Sequence, residues 1–174
     1  REPTPEPTRR LSDTLMGTRF TLAFDTTAFT SDRIASEADR LPVARRLVDR
    51  FLEVHEVNAI AGNGKTALMD AAWRGNLEVV QVLSERGANV DIAAVENRGL
   101  WGPFRHKNTG WTALMFATER GKIECIRRLL SAGADPQVRS RAGRTALSIA
   151  VDYGHEEVAR LLREHAAGRP AEAR

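Results

Sequence analysis

The chain has 174 residues, of which 42% are hydrophobic, so it is long and apolar enough to fold around a core and is not a disordered polymer. Its 26 lysines and arginines are nearly balanced by 23 acidic residues, and the formal net charge of +3 argues against a polycation that coats nucleic acid. A single cysteine, Cys125, excludes an internal disulfide, and no apolar run approaches the roughly 20 residues of a membrane-spanning helix.

Residues 1–16 are predicted to be a flexible tail. The opening "REPTPEPTRR" alternates proline with threonine and glutamate, a composition that stays extended and solvated. Because the sequence begins at Arg1 and not at methionine, we expect that a processed leader or a trimmed linker preceded it. The location therefore stays open between an exported, periplasmic and possibly tethered protein and a cytoplasmic one.

Residues 17–57 are predicted to form an N-terminal capping segment. The stretch "TRFTLAF" alternates Phe20, Leu22 and Phe24, which favours an extended segment. Further on, apolar residues recur at helical spacing on one stripe: Leu41, Val43, Ala44, Leu47, Val48, Phe51 and Leu52. With "TSDRIASEADR" ahead of it, this stripe predicts a helix pair that covers the N-terminal end of the domain.

Three stretches of the remaining sequence align with one another. They read "GKTALMDAAWRGNLEVVQVLSERGANV", "GWTALMFATERGKIECIRRLLSAGADP" and "GRTALSIAVDYGHEEVARLLREHAAG". Thr112 and Thr145 are 33 residues apart, and Thr66 and Thr112 are 46 apart, which is 33 with 13 extra residues. A fixed period of this size is the signature of a repeat protein built from stacked units.

Each copy predicts a short helix, a turn and a second helix. Thr66, Thr112 and Thr145 are positioned to cap the first helix through their hydroxyl groups, and Gly75, Gly121 and Gly154 to end it in a left-handed conformation. The second helix has apolar positions that match between copies, at Leu77, Val79, Val80 and Leu83 and at Ile123, Cys125, Ile126 and Leu129. Cys125 is therefore predicted to be a buried and unreactive core residue.

These residues resemble the ankyrin repeat, whose pattern is G-x-T-P-L-H-x-A followed by G and later by G-A-D-V-N, and the resemblance covers about residues 57–166. It implies an all-α solenoid of about four helix-turn-helix units over 58–166, joined by β-turn fingers. Where the pattern has Thr-Pro-Leu-His, this chain has Thr-Ala-Leu-Met twice and Thr-Ala-Leu-Ser once, so alanine replaces the proline and methionine or serine replaces the histidine, as in many bacterial members. Glu156 and Arg163 give the third copy a polar outer face, so it is predicted to be the C-terminal cap, with 167–174 as a disordered tail.

The resemblance also implies where a partner binds, because the short first helices of such a stack line a concave face. The slots that point into it hold Lys65, Trp73, Arg74, Trp111, Glu119, Arg120, Arg144, Asp152 and Tyr153. Tryptophan, tyrosine and arginine dominate the energetics of protein interfaces. The alternative for Trp73 and Trp111 is that they pack on a neighbouring repeat.

The thirteen extra residues, at about 95–107, fall in the finger between the first two matching copies. They include Trp101, Phe104, Arg105, His106 and Lys107, interrupted by glycines and a proline that disfavour a helix. Long loops in compact repeats are usually functional or disordered, and disorder normally excludes tryptophan and phenylalanine. We therefore predict a finger that contacts a partner, the alternative being that its aromatics pack against the protein's own groove.

Two stretches resemble motifs of enzymes. "AIAGNGKT" approaches a phosphate-binding loop, but its first glycine is replaced by Ala59, and Gly64, Lys65 and Thr66 occupy repeat slots. "HEEVARLLREH" places His155 and His165 ten residues apart, whereas a zinc-protease helix needs histidines one turn apart. No nucleophile is paired with a base, so we predict no enzyme activity, no cofactor and no metal site.

The sequence predicts a non-enzymatic module, monomeric when free, that binds another protein through the concave groove and the extended finger. A narrower alternative is a bacterial inhibitor or immunity protein that blocks a partner enzyme or toxin. A weaker alternative is nucleic-acid binding through Arg105, Lys107, Arg139, Arg141 and Arg144.

Overall fold

The computed structural model describes residues 37–53, 55–61, 63–95 and 108–168. Seven α-helices and no strand lie in these ranges. We number them α1 (Glu37–Leu52), α2 (Ala67–Arg74), α3 (Leu77–Glu85), α4 (Ala113–Glu119), α5 (Ile123–Ser131), α6 (Ala146–Asp152) and α7 (Glu156–Gly168).

The helices form two layers. The short helices α2, α4 and α6 pack side by side in chain order, and the longer helices α1, α3, α5 and α7 pack in chain order behind them. Within each repeat the two helices also contact each other, as α2 with α3, α4 with α5 and α6 with α7. The predicted all-α repeat solenoid is confirmed.

The short helices begin and end much as the repeat pattern predicts. The Thr66 and Thr145 hydroxyl groups accept hydrogen bonds from the backbone N–H groups of Met69 and Ser148, both at 3.3 Å. Thr112 holds the same N-cap position, but its side chain makes no capping bond, and its buried hydroxyl has no partner among the described residues. The glycine after each helix is left-handed, with φ of +83°, +61° and +72° at Gly75, Gly121 and Gly154.

The core lies between the two layers. The predicted apolar positions of the second helices are buried or packed against buried residues, including Val80, Leu83, Ile126 and Leu129 at 0% exposure. In α1 the stripe is only partly as predicted, because Leu47 is 48% exposed. The buried residues Ala44, Val48 and Phe51 follow one line along α1, and α1 packs on α3, so Leu47 lies outside the buried line.

Each short helix is preceded by a tight backbone turn, which we call a finger. In the first and third fingers, Ala61–Lys65 and Ser140–Arg144, the first N–H donates to the last carbonyl, at 2.9 and 2.8 Å. The second finger is closed by the same bond, Ala94 N–H to the Trp111 carbonyl at 2.8 Å, and Gly110 N–H donates back to Ala94 at 2.7 Å. The thirteen extra residues therefore leave and rejoin the stack at a closed, repeat-like base.

Side chains just before the first two fingers also link neighbouring repeats. The backbone N–H of Asn89 donates to Asn58 Oδ1 at 2.8 Å, and that of Asp135 donates to Asp91 Oδ1 at 3.0 Å. The two bonds occupy equivalent positions, one repeat apart. Besides the packing of helices, polar bonds thus hold each repeat to the next.

The C-terminal repeat has the polar outer face that was predicted, since Glu156 and Arg163 are exposed while Val158 and Leu162 are buried. Helix α7 continues through Gly168. Residues 1–36 and 169–174 lie outside the described residues. They include the predicted "TRFTLAF" segment, the whole predicted N-terminal tail and most of the predicted C-terminal tail. Within the described ranges, every helix is too short or too polar to cross a bilayer.

Candidate functional site

Eight of the predicted site residues lie on one surface, which we call the inner-helix face. It is formed by the residue before the N-cap threonine of each short helix and by the residues at the C-terminal end of that helix. The described members with access to solvent are Lys65, Trp73, Arg74, Glu119, Arg120, Arg144, Asp152 and Tyr153.

The partly buried indole of Trp73 occupies the middle of a cluster of cations. Lys65 Nζ lies 5.5 Å from the centroid of the Trp73 ring, and Arg120 Cζ lies 4.9 Å from it. Arg120 belongs to the next repeat, so the contact crosses the boundary between two repeats. Contacts of this kind contribute about 0.5–1 kcal/mol at exposed sites and more where water is excluded.

Lys65 is a partly buried charge of the inner-helix face. Its ammonium lies 4.5 Å from the centroid of Phe116, a fully buried residue of α4. Burial lowers the pKa of Lys65 below its ordinary value, and the nearby carboxylates of Asp70 and Glu119 offset part of this effect. The charge is therefore held where water solvates it poorly.

The carboxylates of the face have partners within the chain. Arg74 binds Asp70 at 2.8 Å, Arg144 binds Asp152 at 2.7 Å, and the Tyr153 hydroxyl donates to Glu119 at 2.9 Å. Lys65 and Arg120, in contrast, have no ion-pair partner within 4 Å among the described residues. Two cations at the Trp73 indole thus remain uncompensated by a direct ion pair in the described part of the chain.

Trp111, predicted to bind a partner, with packing on a neighbouring repeat as the alternative, is part of the core. Its side chain has 0% exposure, packs on Phe116 with ring centroids 5.4 Å apart, and is covered by Arg144, whose Cζ is 5.8 Å from the indole. Lys65 and Arg144 hold the same slot in the neighbouring repeats, and their charges keep them at the surface. An indole has no such charge, so it packs inward between the layers.

The insertion contributes only its base to the described surface. The predicted binding residues Trp101, Phe104, Arg105 and His106 lie outside the described residues. Beside the base is a small cavity of about 200 Å³, lined by Lys65, Phe116, Ala94, Val95, Asn108, Thr109 and Asn63. The insertion therefore begins and ends next to the Lys65 end of the inner-helix face.

Sequence reasoning missed two residues of the site. Phe116 lies under the Lys65 ammonium although it is buried, and Asp70 holds Arg74 in place. Asp70 had a signal, because it is an acid in a slot that is phenylalanine at Phe116 and isoleucine at Ile149 in the other copies. Phe116 had no such signal in the sequence. It occupies a core slot, and its contact with Lys65 becomes visible only when the neighbouring repeat is placed beside it.

The residues of the enzyme-like motifs have structural roles. Thr66 caps α2, and His155 Nε2 lies 3.1 Å from the backbone carbonyl of Glu119. Cys125 is 2% exposed, so the prediction of a buried core cysteine is confirmed, and burial raises the pKa of its thiol to about 11. That the thiol is unreactive stays a prediction. Among the described residues, no three histidine, cysteine or acidic side chains come together as metal ligands.

Comparison with known proteins supports the repeat architecture independently. A family model described as ankyrin repeats (3 copies) matches residues 23–94 and again residues 99–170. The matched ranges start upstream of residue 57, where the sequence pattern first became recognisable, and together cover most of the chain. No curated protein matches the chain. The chain therefore belongs to the ankyrin-repeat family.

Proposed function

We propose that this chain binds a partner protein through the inner-helix face, with the insertion as a second contact surface, and that it carries out no reaction of its own. Ankyrin repeats are protein-interaction modules, which gives the general class. The observation that carries the more specific proposal is the Trp73 indole, partly open to solvent and flanked by Lys65 and Arg120.

The face has the composition of an interface hot spot. Tryptophan, tyrosine and arginine are enriched among residues whose truncation costs a complex most. Here Arg74 and Arg144 are each held by a carboxylate, and Tyr153 by Glu119. Side chains that are already ordered lose less conformational entropy when a partner binds, which favours affinity.

The insertion is proposed as a second contact because of its residues and its place. It carries Trp101, Phe104, Arg105 and His106, and its base adjoins Lys65. A segment that is rich in aromatic and basic residues and adjoins the inner-helix face suits the cleft of an enzyme. Inhibition of a partner enzyme or toxin is therefore the narrower version of the proposal, and this composition is the observation that favours it.

The test begins with a partner captured from the source organism and identified by mass spectrometry, followed by titration of purified proteins. Trp73→Ala should weaken binding by over ~2 kcal/mol, roughly thirtyfold in Kd, because it removes the aromatic centre of the face. Leu47→Ala, at an exposed apolar side chain of α1 in the other layer, is the control and should leave the affinity unchanged. Full affinity of a folded Trp73→Ala protein would refute the proposed binding face.

Trp111 is unsuitable for this test. Because its side chain is fully buried, Trp111→Ala should cost about 3–5 kcal/mol of folding stability and would confound binding with unfolding.

A further inference from the structure

We infer that the partner presents an acidic segment to the inner-helix face, and that its carboxylates pair with Lys65 and Arg120 on either side of Trp73. This inference rests on the proposed function and adds the chemistry of the partner. It concerns the described residues of the face alone.

The first support is the pairing of charges across the face. Asp70, Glu119 and Asp152 each accept a bond from an arginine or a tyrosine of the same face. Lys65 and Arg120 lie against aromatic rings, and neither has an ion-pair partner within 4 Å among the described residues. A ring quadrupole attracts a cation but does not neutralise it, so both charges are open to an anionic group.

The second support is the loss of solvation at the Lys65 ammonium, which disfavours its charged form. Its ammonium lies against the rings of Phe116 and Trp73, and burial lowers its pKa. A carboxylate placed beside the ammonium would offset this loss of solvation, because an opposite charge nearby favours the charged form. The lysine is thus arranged to gain more from an acidic ligand than a fully hydrated lysine would.

The third support is the geometry at Arg120. The guanidinium is exposed at the rim, and its central carbon lies 4.9 Å from the Trp73 centroid. The indole limits the positions of the side chain, while the planar donors remain available for a bidentate bond to a carboxylate. Trp73 itself offers an apolar surface between the two cations, on which the aliphatic part of an aspartate or glutamate can pack.

An acidic protein segment fits this surface better than a nucleic acid does. The carboxylates of Asp70, Glu119 and Asp152 lie on the same face and would repel the continuous negative charge of a phosphodiester backbone. Isolated carboxylates, spaced along a peptide, can meet Lys65 and Arg120 with less of that repulsion, because they place fewer negative charges near the acidic residues.

The experiment uses a library of random peptides displayed on phage and selected against the whole chain. Enriched peptides should contain aspartate or glutamate more often than the starting library. Synthetic copies should bind the double variant Lys65→Met/Arg120→Gln about tenfold or more weakly than the wild type, as expected for the loss of charge-assisted hydrogen bonds. The matched control is Arg127→Gln/Arg160→Gln, which removes the same charge from exposed sites on α5 and α7 and should bind normally.

A second measurement keeps the test valid if the double variant folds poorly. Peptides in which each glutamate or aspartate is replaced by its amide are titrated against the wild-type chain, and they should lose affinity to the same extent. Amide peptides that bind as well as the acidic ones would overturn the inference.

The remaining outcomes separate this inference from the proposed function. Enriched peptides that lack acids yet depend on Trp73 would overturn the acidic partner and leave the binding face intact. Enriched peptides that bind the Trp73→Ala variant as tightly as the wild type would count against both the acidic partner and the binding face. The absence of any enrichment would do the same. A single-stranded oligonucleotide that binds more tightly than the acidic peptides, and displaces them, would overturn the inference in favour of nucleic acid.

Discussion

Two glycines that occupy the same slot of consecutive fingers, Gly110 and Gly143, have different surroundings. Both are left-handed, with φ of +80° and +76°. A Cβ on Gly110 would lie 2.6 Å from the backbone nitrogen of Arg141, whereas a Cβ on Gly143 would meet nothing within 4 Å. Gly110 is thus required by its conformation and by the close approach of the third finger, and Gly143 by its conformation alone.

This difference predicts unequal costs of substitution. Gly143→Ala should lower the free energy of unfolding by about 1–2 kcal/mol, the cost of a left-handed alanine. Gly110→Ala should cost at least about 1 kcal/mol more, because backbone atoms cannot turn away as a flexible side chain can. Urea denaturation of the two variants measures both values. Equal costs would show that the second and third fingers separate readily.

The pKa of Lys65 predicts a dependence of stability on pH. In the unfolded chain the amine has its ordinary pKa of 10.5, and burial lowers it in the fold, so the folded state releases its proton first. The cost of the buried charge is therefore fully present below the folded-state pKa and disappears as the pH rises towards 10.5. Lys65 alone should make the protein more stable with rising pH in this window.

Lys65→Met isolates this contribution from other titrating groups. Cys125, for example, acts in the opposite direction, because burial raises its pKa from 9.0 to about 11 and its stabilising neutral form is lost with rising pH. The difference in unfolding free energy between Lys65→Met and the wild type should shift in favour of the wild type as the pH approaches 10.5. A difference that is independent of pH would contradict the lowered pKa.

At the scale of elements, the repeat period allowed the helices, their glycine ends and most of the core to be predicted from sequence. The reason is physical, since every repeat must bury the same slots against a neighbour of the same architecture. The period does not determine what a side chain does within its slot. Lys65, Trp111 and Arg144 share one slot, yet the two cations stay at the surface and Trp111 is buried. That choice depends on side-chain chemistry and on the next repeat.

The insertion is the element that the repeat period leaves unexplained, and its removal tests its role. Deleting Val95 through Lys107 joins Ala94 to Asn108, leaving four residues from Ala94 to Gly110, as from Ser140 to Gly143. The bonds that close the base join Ala94 to Gly110 and Trp111, so they survive. We expect the stability to hold or to rise by about 1 kcal/mol, because a shorter loop costs less entropy to close.

The deletion removes one backbone hydrogen bond, from Val95 N–H to the Gly64 carbonyl at 3.0 Å. In the shortened chain Asn108 follows Ala94, so its N–H would take the position of the Val95 N–H. Thermal melts and titration against the partner measure both halves of the prediction, and affinity should fall sharply with the loss of Trp101 and Phe104. Loss of the cooperative melt would mean that the insertion supports the fold. A stable deletant with full affinity would mean that the insertion has no part in binding.

At the scale of the whole molecule, stability comes from contacts between successive repeats. Each short helix packs on the next, and so does each long helix. The long helices are also joined across their solvent side, where Glu85 binds Arg45 of α1 at 2.8 Å and Arg128 of α5 at 3.7 Å. In such a stack the loss of one repeat exposes the core of its neighbours, so the described repeats should unfold together.

Cys125, the single cysteine, reports on this cooperativity from the middle of the stack. Because its thiol is 2% exposed and its pKa is raised to about 11, a thiol reagent near neutral pH should react only after the surrounding helices open. We predict that the protein is a monomer by light scattering. Its unfolding free energy from the labelling rate should equal that from urea denaturation.

The melting temperature should be unchanged by ATP with magnesium or by zinc, because a specific ligand of the folded state would raise it. Labelling at a much smaller free energy would reveal local opening of α5, and a shift with either ligand would show a binding site that the repeat architecture does not explain.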